Sequence, residues 1–177
     1  MNNNRYDICI VVAGEAGQGI KSVEEMLVTM LHQSGYYVFS TKEYMSRVRG
    51  GSNSTEIRFS LLPVTCYVDR IDILIMLDEK AFDHVSSRVT DQTIVIGDKK
   101  HVSSLKHPHV FSFDFIEEAE EIGNAVYANT IAVGLLASLF HIPVNSIKDH
   151  VSQFFKKKSK KIITANKKAV EAGSRLA

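Results

Sequence analysis

Short runs of apolar, largely β-branched residues recur along the first two thirds of the chain, separated by polar or glycine-containing segments. Continuous apolar runs of this length are typical of strands that are buried on both faces. One run, STEIRFSL, instead alternates apolar and polar positions like a half-buried strand. The predicted strands are Tyr6–Ala13, Tyr36–Ser40, Ser54–Leu61, Asp72–Leu77, Thr93–Gly97 and Val110–Phe113.

Helical spacing of apolar residues predicts a helix that begins at Ile20 and ends before Gly35, where a C-terminal glycine is typical. Asp78 is predicted to cap a second helix that runs through Val89. Later helices are predicted over Asn124–Phe140, Val144–Phe155 and Thr164–Ala172. The first of these three carries small residues suited to close packing, namely Ala128, Ala132, Gly134 and Ala137.

The order of these elements predicts the fold class. The first strand, a glycine turn, a helix and the second strand make a βαβ unit, whose crossover is expected to be right-handed. Alternation of strands and helices predicts an α/β protein, a three-layer α/β/α arrangement around an open, mostly parallel sheet. Ligands bind such sheets beyond the C-terminal ends of the strands, and segments 14–19 and 41–53 fall there.

Composition and charge divide the chain unequally. With 177 residues, 45% of them hydrophobic and 23% charged, it can form one ordinary domain with a real core. The net charge of +1 hides a segregation: residues 1–155 carry 13 basic and 19 acidic side chains, whereas residues 156–177 carry 8 and 1. We therefore predict an α/β domain over 1–155. A basic, partly helical segment over 156–177 packs on that domain or leads to a partner domain.

Several classes of protein are excluded or disfavoured. Cys9 and Cys66 are the only cysteines, so this chain cannot itself supply four cysteines to an iron–sulfur or zinc centre. Unpaired thiols favour a cytoplasmic setting. The longest apolar stretch, Thr130–Phe140, is far shorter than the roughly 20 residues of a membrane helix. The first residues lack a secretory hydrophobic region, and we expect no contact with a membrane.

The first candidate site is the glycine turn after the first strand. A turn that leads into a helix presents backbone N–H groups and the positive end of the helix dipole, which suit phosphates and carboxylates. It is neither a dinucleotide fingerprint, since Ala16 replaces a glycine, nor a P-loop, since Ile20 precedes Lys21. The alternative is a tight turn that binds no ligand. Its candidate residues are Gly14, Gly17, Gln18 and Gly19.

The second candidate site is the polar segment before the third strand. Two arginines two positions apart share a face of an extended loop, and paired glycines let a ligand approach the backbone closely. These features suit an anion or an acyl ligand. The alternative is a mobile surface hairpin with solvated arginines. Its candidate residues are Arg47, Arg49, Gly50, Gly51 and Ser52.

Other candidates are weaker, and we predict no catalytic or metal-binding residue in the chain. His107 and His109 lack a nearby third ligand. The cluster Lys156–Lys161 has five lysines in six positions, but an acidic body and the lack of an aromatic platform argue against nucleic acid. A basic linker or a partner-docking segment is the preferred interpretation of this cluster.

Three stretches together resemble the gamma subunit or domain of the 2-oxoacid:ferredoxin (acceptor) oxidoreductase family. AGEAGQGI at Ala13–Ile20 is similar to the family's G-x-G-G-Q-G turn. TKEYMSRVRGGSNSTEIRFS at Thr41–Ser60 is similar to its E-x-x-x-x-x-R-G-G segment and the strand that follows. ANKKAVEAG at Ala165–Gly173 resembles its N-x-x-A-x-x-x-G ending. The resemblance covers essentially the whole chain.

The resemblance implies a part in the oxidative decarboxylation of 2-oxoacids to acyl-coenzyme A, with electrons passed to ferredoxin or a similar acceptor. Thiamine diphosphate and iron–sulfur clusters would reside in partner subunits. This domain would help to form the coenzyme A side of the site, and its second segment would bind a coenzyme A phosphate or a partner chain. The chain has no thiamine-type GDG…N motif, so we expect no activity from it alone. A separate expectation is that the isolated chain forms a homodimer. Two alternatives stay open: a stand-alone nucleotide- or coenzyme A-binding regulatory module, and nucleic-acid binding through the lysine cluster.

Overall fold

The computed structural model describes residues 7–15, 17–43 and 52–177. Within them, strands occupy Asp7–Glu15 (β1), Tyr37–Glu43 (β2), Ser52–Ser60 (β3), Ile73–Met76 (β4), Ile94–Asp98 (β5) and Val110–Phe113 (β6). The α-helices are Ile20–Gln33 (α1), Ala81–Val85 (α2), Lys99–Val102 (α3), Phe115–Ile122 (α4), Ala128–Leu139 (α5), Val144–Phe154 (α6) and Lys160–Leu176 (α7). Single 3₁₀ turns cover Ser86–Arg88 and Ala125–Tyr127.

The six strands form one sheet in the order β2-β3-β1-β4-β5-β6. The pairs β1–β4, β4–β5 and β5–β6 are parallel, whereas β3 is antiparallel to both β1 and β2. The α/β class and the mostly parallel sheet are thus confirmed. The predicted βαβ unit needs a correction, because β3 lies between its two strands. β2 stands first in this order and has β3 on one side, so it is an edge strand, whereas β3 is paired on both sides.

One compact unit comprises the residues up to Glu24 and Gly35–Phe113, which contain the sheet. Its apolar core is built by alternate residues of the central strands together with α2, α3 and the segments beside them. Burying these side chains, which are almost entirely shielded from water, supplies most of the driving force for folding. The buried core residues are Cys9, Val11, Ala13, Ile71, Leu74, Met76, Ala81, Val85, Val95 and Val102.

A second compact unit comprises Glu25–Ser34 and Asp114–Ala177 and is helical apart from short connections. Its closest helix pair is α5 with α7. A Cβ atom on Gly134 would lie 2.8 Å from the carbonyl oxygen of Val170, and one on Gly173 would overlap the carbonyl oxygen of Ile131. The two backbones therefore touch where each helix carries a glycine, as the small residues of the predicted helix indicated.

The N-x-x-A-x-x-x-G stretch has a packing role in this helix pair. Asn166 is buried, accepts a hydrogen bond from Oγ1 of Thr130 at 2.7 Å and donates to the carbonyl oxygen of Ile162 at 2.9 Å. Ala169 is fully buried, and Gly173 makes the close approach to α5. This stretch fixes α7 against α5 and contributes nothing to the cleft described below.

Several predicted helix bounds were wrong because local caps decide them. Asp78 does not begin a helix: α2 starts only at Ala81 and gives way to a 3₁₀ turn after Val85. α5 starts at Ala128, since the side chain of Asn124 caps a preceding 3₁₀ turn. α7 starts four residues before the predicted Thr164, because Oγ of Ser159 accepts a hydrogen bond from the Ile162 N–H.

Among the described residues, no helix combines the length and the apolar character that crossing a bilayer requires.

Candidate functional site

The first glycine of the turn belongs to the end of β1. A Cβ atom on Gly14 would lie 2.9 Å from Cβ of Leu77 and 3.3 Å from a carboxylate oxygen of Asp78. Contacts under 3.0 Å are not tolerated without a shift of the neighbouring chain. Gly14 is therefore needed where β1 passes the end of β4, which is a packing role.

The next two glycines shape the start of α1. Gly17 and Gly19 have φ values of +98° and +87°, in the left-handed region that glycine adopts without strain. Between them the Gln18 N–H donates to the Glu15 carbonyl oxygen at 3.1 Å, and the Gly19 carbonyl oxygen accepts from the N–H groups of Ser22 and Val23. The turn therefore leads directly into α1, which begins at Ile20.

A cleft of about 260 Å³ opens beside this helix N-terminus. One side is formed by the glycine turn and the first residues of α1, and the other by the last part of β2 and the first part of β3. The first turn of α1 has no acidic residue to offset the positive end of its dipole. The lining residues are Gly17, Gly19, Ile20, Lys21, Lys42, Asn53, Ser54 and Thr55.

The two predicted segments meet at this cleft. In the β1–β3 ladder Glu15 is opposite Ser52 and Gly14 is opposite Asn53. The start of β3 therefore lies against the end of β1, from which the glycine turn departs. Because β3 runs antiparallel to β1, the beginning of β3 lies beside the C-terminal end of β1. The described parts of segments 14–19 and 41–53 therefore lie side by side.

The predicted residues of the second segment have different outcomes. Ser52 is buried in β3, where it pairs with Glu15 of β1, and it does not line the cleft. The connection from β2 to β3 lies outside the described residues, and with it the predicted residues Arg47, Arg49, Gly50 and Gly51. Their part in binding stays a prediction. Gln18 belongs to the turn, although it does not line the cleft.

Lys42 lines the cleft although the sequence did not indicate it. Its Nζ atom lies 2.9 Å from Oε2 of Glu24, whose side chain is only 5% exposed. Ser40 donates a hydrogen bond to the other oxygen of that carboxylate at 3.0 Å. The position of Lys42 two residues after Ser40, pointing the same way from β2, could have indicated a shared partner. The position of Glu24 in α1 gave no indication that its carboxylate is the partner.

A histidine lies beside the cleft wall. The side chain of His84 is 8% exposed, and its Nε2 atom is 3.3 Å from Oγ of Ser54 and 3.8 Å from a carboxylate oxygen of Glu43. Ser54 also donates to this Glu43 oxygen at 3.4 Å. These contacts join α2 to the ends of β2 and β3, so they stiffen the cleft wall.

Asp78 ties the end of β1 to the segment before α2. One of its carboxylate oxygens accepts the Glu15 N–H, and the other accepts the Lys80 N–H at 2.9 Å. The Nζ atom of Lys80 in turn lies 2.7 Å from a carboxylate oxygen of Glu15, which raises the pKa of Lys80. The predicted capping role of Asp78 is replaced by this anchoring role below the glycine turn.

The histidines of the loop before β6 have backbone partners. Nε2 of His107 is 3.1 Å from the Thr90 carbonyl oxygen, and the His109 N–H donates to Nδ1 of His107 at 3.2 Å. Across residues 7–15, 17–43 and 52–177, no three His, Cys, Asp or Glu side chains come together as a metal site. Both cysteines are free, Cys9 buried and Cys66 exposed.

This geometry defines an α/β domain that has a cleft at the N-terminus of its first helix. The chain belongs to the pyruvate ferredoxin/flavodoxin oxidoreductase family, whose model matches residues 9–176, and it is a gamma-type component of the 2-oxoacid:ferredoxin oxidoreductases. The family resemblance carried by the three stretches is therefore confirmed.

Relatives of known sequence agree with this family. The chain is 26% identical over 172 residues to the 2-oxoglutarate synthase subunit KorC of Archaeoglobus fulgidus, covering 96% of this chain and 90% of that one. It is 30% identical over 141 residues to KorC of Methanocaldococcus jannaschii, covering 75% of each. Against a 2-oxoacid:ferredoxin oxidoreductase alpha subunit from Sulfolobus, 75 residues match at 31% identity, only 12% of that longer chain.

Solved structures share the fold. The 2-oxoglutarate:ferredoxin oxidoreductase of Magnetococcus marinus matches 98% of this chain with a TM-score of 0.86 and 24% identity, and the match covers 31% of that chain. The keto/oxoacid ferredoxin oxidoreductase gamma subunit of Geobacter sulfurreducens has a TM-score of 0.77 at 20% identity, with 95% and 96% covered. Pyruvate oxidoreductase subunit PORC of Thermotoga maritima has a TM-score of 0.75 at 22% identity, with 97% of each chain covered.

Proposed function

We propose that this chain assembles with thiamine diphosphate-binding and iron–sulfur subunits and contributes the coenzyme A side of their shared site. The subunit names of the relatives support an assembled enzyme, as does the pair of cysteines, which is too few for a cluster. Bound thiamine diphosphate would supply the decarboxylation chemistry from a partner subunit. Ferredoxin or a similar acceptor would take the electrons from the clusters and would contact this chain only indirectly.

The cleft beside α1 is the observation that carries this proposal. Backbone N–H groups at a helix N-terminus and two lysines make a site that suits a phosphate group. Its volume of about 260 Å³ lies below the range of about 300–1,000 Å³ typical for sites that enclose a whole small molecule. It would therefore take a phosphate of coenzyme A, while the rest of the cofactor extends over partner subunits. The related Magnetococcus marinus enzyme has been solved with coenzyme A and succinyl-CoA bound.

Each residue of the proposed site has a distinct part. Gly17 and Gly19 hold the turn that exposes the first N–H groups of α1, Lys21 supplies positive charge, and Lys42 supplies an ammonium group that it shares with Glu24. Arg47 and Arg49 would add guanidinium groups, which bind phosphate bidentately. Gly14 and Ser52 would support this arrangement from within β1 and β3 and would not contact the ligand.

Coexpression tests the proposal of assembly. The full chain is coexpressed with the 2-oxoacid:ferredoxin oxidoreductase subunits of its source, and the complex is purified through a tag on this chain. We expect a complex that reduces ferredoxin in the presence of a 2-oxoacid and coenzyme A, and we expect no activity from the chain alone. Failure of those subunits to copurify with the chain, at any salt concentration tried, would contradict the proposal.

The substrate follows as a narrower proposal. Both KorC relatives bear the name of 2-oxoglutarate synthase, so we propose 2-oxoglutarate as the 2-oxoacid of the assembled enzyme. The complex is assayed with 2-oxoglutarate and with pyruvate at equal concentrations. A higher kcat/KM for 2-oxoglutarate supports the proposal, whereas a preference for pyruvate overturns the substrate assignment and leaves the assembly proposal intact.

A further inference from the structure

The lysine cluster, Lys156–Lys161, forms the connection between α6 and α7 together with the first residues of α7. All five lysine side chains are exposed. No ion pair joins any of them to a carboxylate in the part of the chain that the structure describes, unlike Lys148, which pairs with Glu171 in the same unit. The cluster therefore carries five positive charges that are not neutralised within that unit.

The position of the cluster adds to its positive potential. α7 is 17 residues long and begins at Lys160, with Ser159 as its cap and no acidic residue in its first turn. Lysines at a helix N-terminus oppose the helix dipole, and neighbouring lysines repel one another. A set of carboxylates placed here would relieve both effects at once.

A groove begins directly before the cluster, within the same compact unit. Phe154, at the end of α6, is 37% exposed and packs edge-on against Phe155 with 4.8 Å between the ring centroids. It lines a groove of about 430 Å³ with Met26 of α1. Asp149 of α6 and Glu25 of α1 also line this groove, so its rim is acidic on that side.

We propose that this lysine cluster and the Phe154 groove together dock an acidic segment of a partner subunit. The segment would place an apolar side chain against Phe154 and carboxylates over the lysines. An exposed aromatic anchor beside a charged rim is the usual composition of a protein interface. This inference rests on the proposed function, because the occupant is a subunit of the same oxidoreductase.

Charge distribution favours a protein partner over nucleic acid or a membrane. Residues 1–155 carry 13 basic and 19 acidic side chains, so most of the chain repels extended polyanions. Charge effects reach about 8–10 Å at physiological ionic strength, which confines the attraction to the neighbourhood of the patch. A folded partner can present carboxylates there alone. In the Magnetococcus marinus protein the matched fold is 31% of one chain, which supports close neighbours for this domain.

Charge reversal in the assembled enzyme tests the docking surface. Lys156→Glu, Lys157→Glu and Lys158→Glu are combined, leaving the first turn of α7 intact. The matched control reverses the exposed Lys99, Lys100 and Lys106. The dissociation constant of the chain from its immobilised partner subunits is measured at two salt concentrations. We expect at least a tenfold increase for the cluster variant at low salt, a smaller increase at high salt, and no change for the control.

A second variant examines the groove. Phe154→Ala should weaken binding by a factor that salt does not alter, whereas Val126→Ala, at another exposed apolar residue, should leave binding unchanged. Circular dichroism verifies that each variant is folded.

The outcomes separate the two proposals. If the cluster variant binds its partner subunits as tightly as the wild-type chain does, the docking inference is overturned and the proposed function stands. If the wild-type chain binds no such subunit, both fall. Binding of a labelled single-stranded 30-mer or of phosphatidylglycerol vesicles that the cluster variant loses, with subunit assembly unaffected, would overturn the inference in favour of that ligand.

Discussion

Lys42 and Glu24 form an ion pair of 2.9 Å between a cleft-lining ammonium group and a carboxylate that is almost completely buried. Removing a carboxylate from water is costly unless charged and hydrogen-bonding partners replace the lost hydration. Lys42 and Ser40 supply those partners from β2. The pair thus fixes the end of an edge strand to α1 and holds a positive charge at the cleft.

Lys42→Met should lower the free energy of unfolding by about 2 kcal/mol, because it removes the ammonium group that balances the buried Glu24 carboxylate. Adding Glu24→Gln to the same chain should restore part of that loss. Urea denaturation gives both values, with Lys100→Met as an exposed control. A Lys42→Met chain as stable as the control would show that the ion pair contributes nothing to folding.

Gly173→Ala should be among the most destabilising single-methyl additions in the chain. Its Cβ atom would overlap the carbonyl oxygen of Ile131, so α5 and α7 must separate, at a cost of about 3 kcal/mol. Gly35→Ala is the comparison, since its surroundings are open and only its φ of +90° opposes the change, at about 1 kcal/mol. Equal losses in thermal or urea unfolding for the two variants would refute the close helix contact.

The two cysteines should differ sharply in reactivity. Burial, together with the neighbouring Glu56 carboxylate, raises the pKa of the Cys9 thiol to about 12, which keeps it protonated at neutral pH. Cys66 is exposed on the loop after β3. Iodoacetamide should therefore alkylate Cys66 alone in the native protein at pH 8 and both residues in urea, as read by peptide mass spectrometry. Rapid native labelling of Cys9 would contradict its burial.

Asp7 should make stability depend on pH in the acid range. Two hydrogen bonds of 2.9 Å from Arg58, aided by Arg70, hold the pKa of this carboxyl below its usual value. A lowered native pKa stabilises the fold above the unfolded pKa of about 4, and this contribution is lost as pH falls through the native value. Asp7→Asn should cost about 1 kcal/mol at pH 7 and progressively less below pH 4. A difference that is constant with pH would disprove the ionic contribution.

The periodicity of the sequence was sufficient for the element types and the fold class, because apolar runs and helical spacing are local signals. The order of strands was less accessible. Nothing local in STEIRFSL shows that β3 pairs antiparallel with both β1 and β2, since that pairing depends on residues far apart in the sequence. Helix caps were a further source of error. The carboxylate of Asp78, which was predicted to cap a helix, accepts a hydrogen bond from the Glu15 N–H at the end of β1.

The candidate site was predicted in part. Gly17 and Gly19 line the cleft, whereas Gly14 packs against Leu77 and Ser52 lies in the β3 ladder, and the binding role of all four stays a prediction. Lys42 escaped notice because its importance arises from a buried partner 18 positions away. The residues that line the cleft come together because the ladder register places Asn53 opposite Gly14. That register is a property of the folded sheet.

The KM for coenzyme A of the assembled enzyme tests the central claim most directly, with Lys21→Ala in this chain and Lys100→Ala as the control. If Lys21 contacts a phosphate of coenzyme A, losing a charge-assisted hydrogen bond of about 1.5–3 kcal/mol should raise that KM roughly 10- to 100-fold. The KM for the 2-oxoacid and the values for Lys100→Ala should stay unchanged. An unaltered KM for coenzyme A in a fully assembled Lys21→Ala enzyme would contradict the assignment of this cleft.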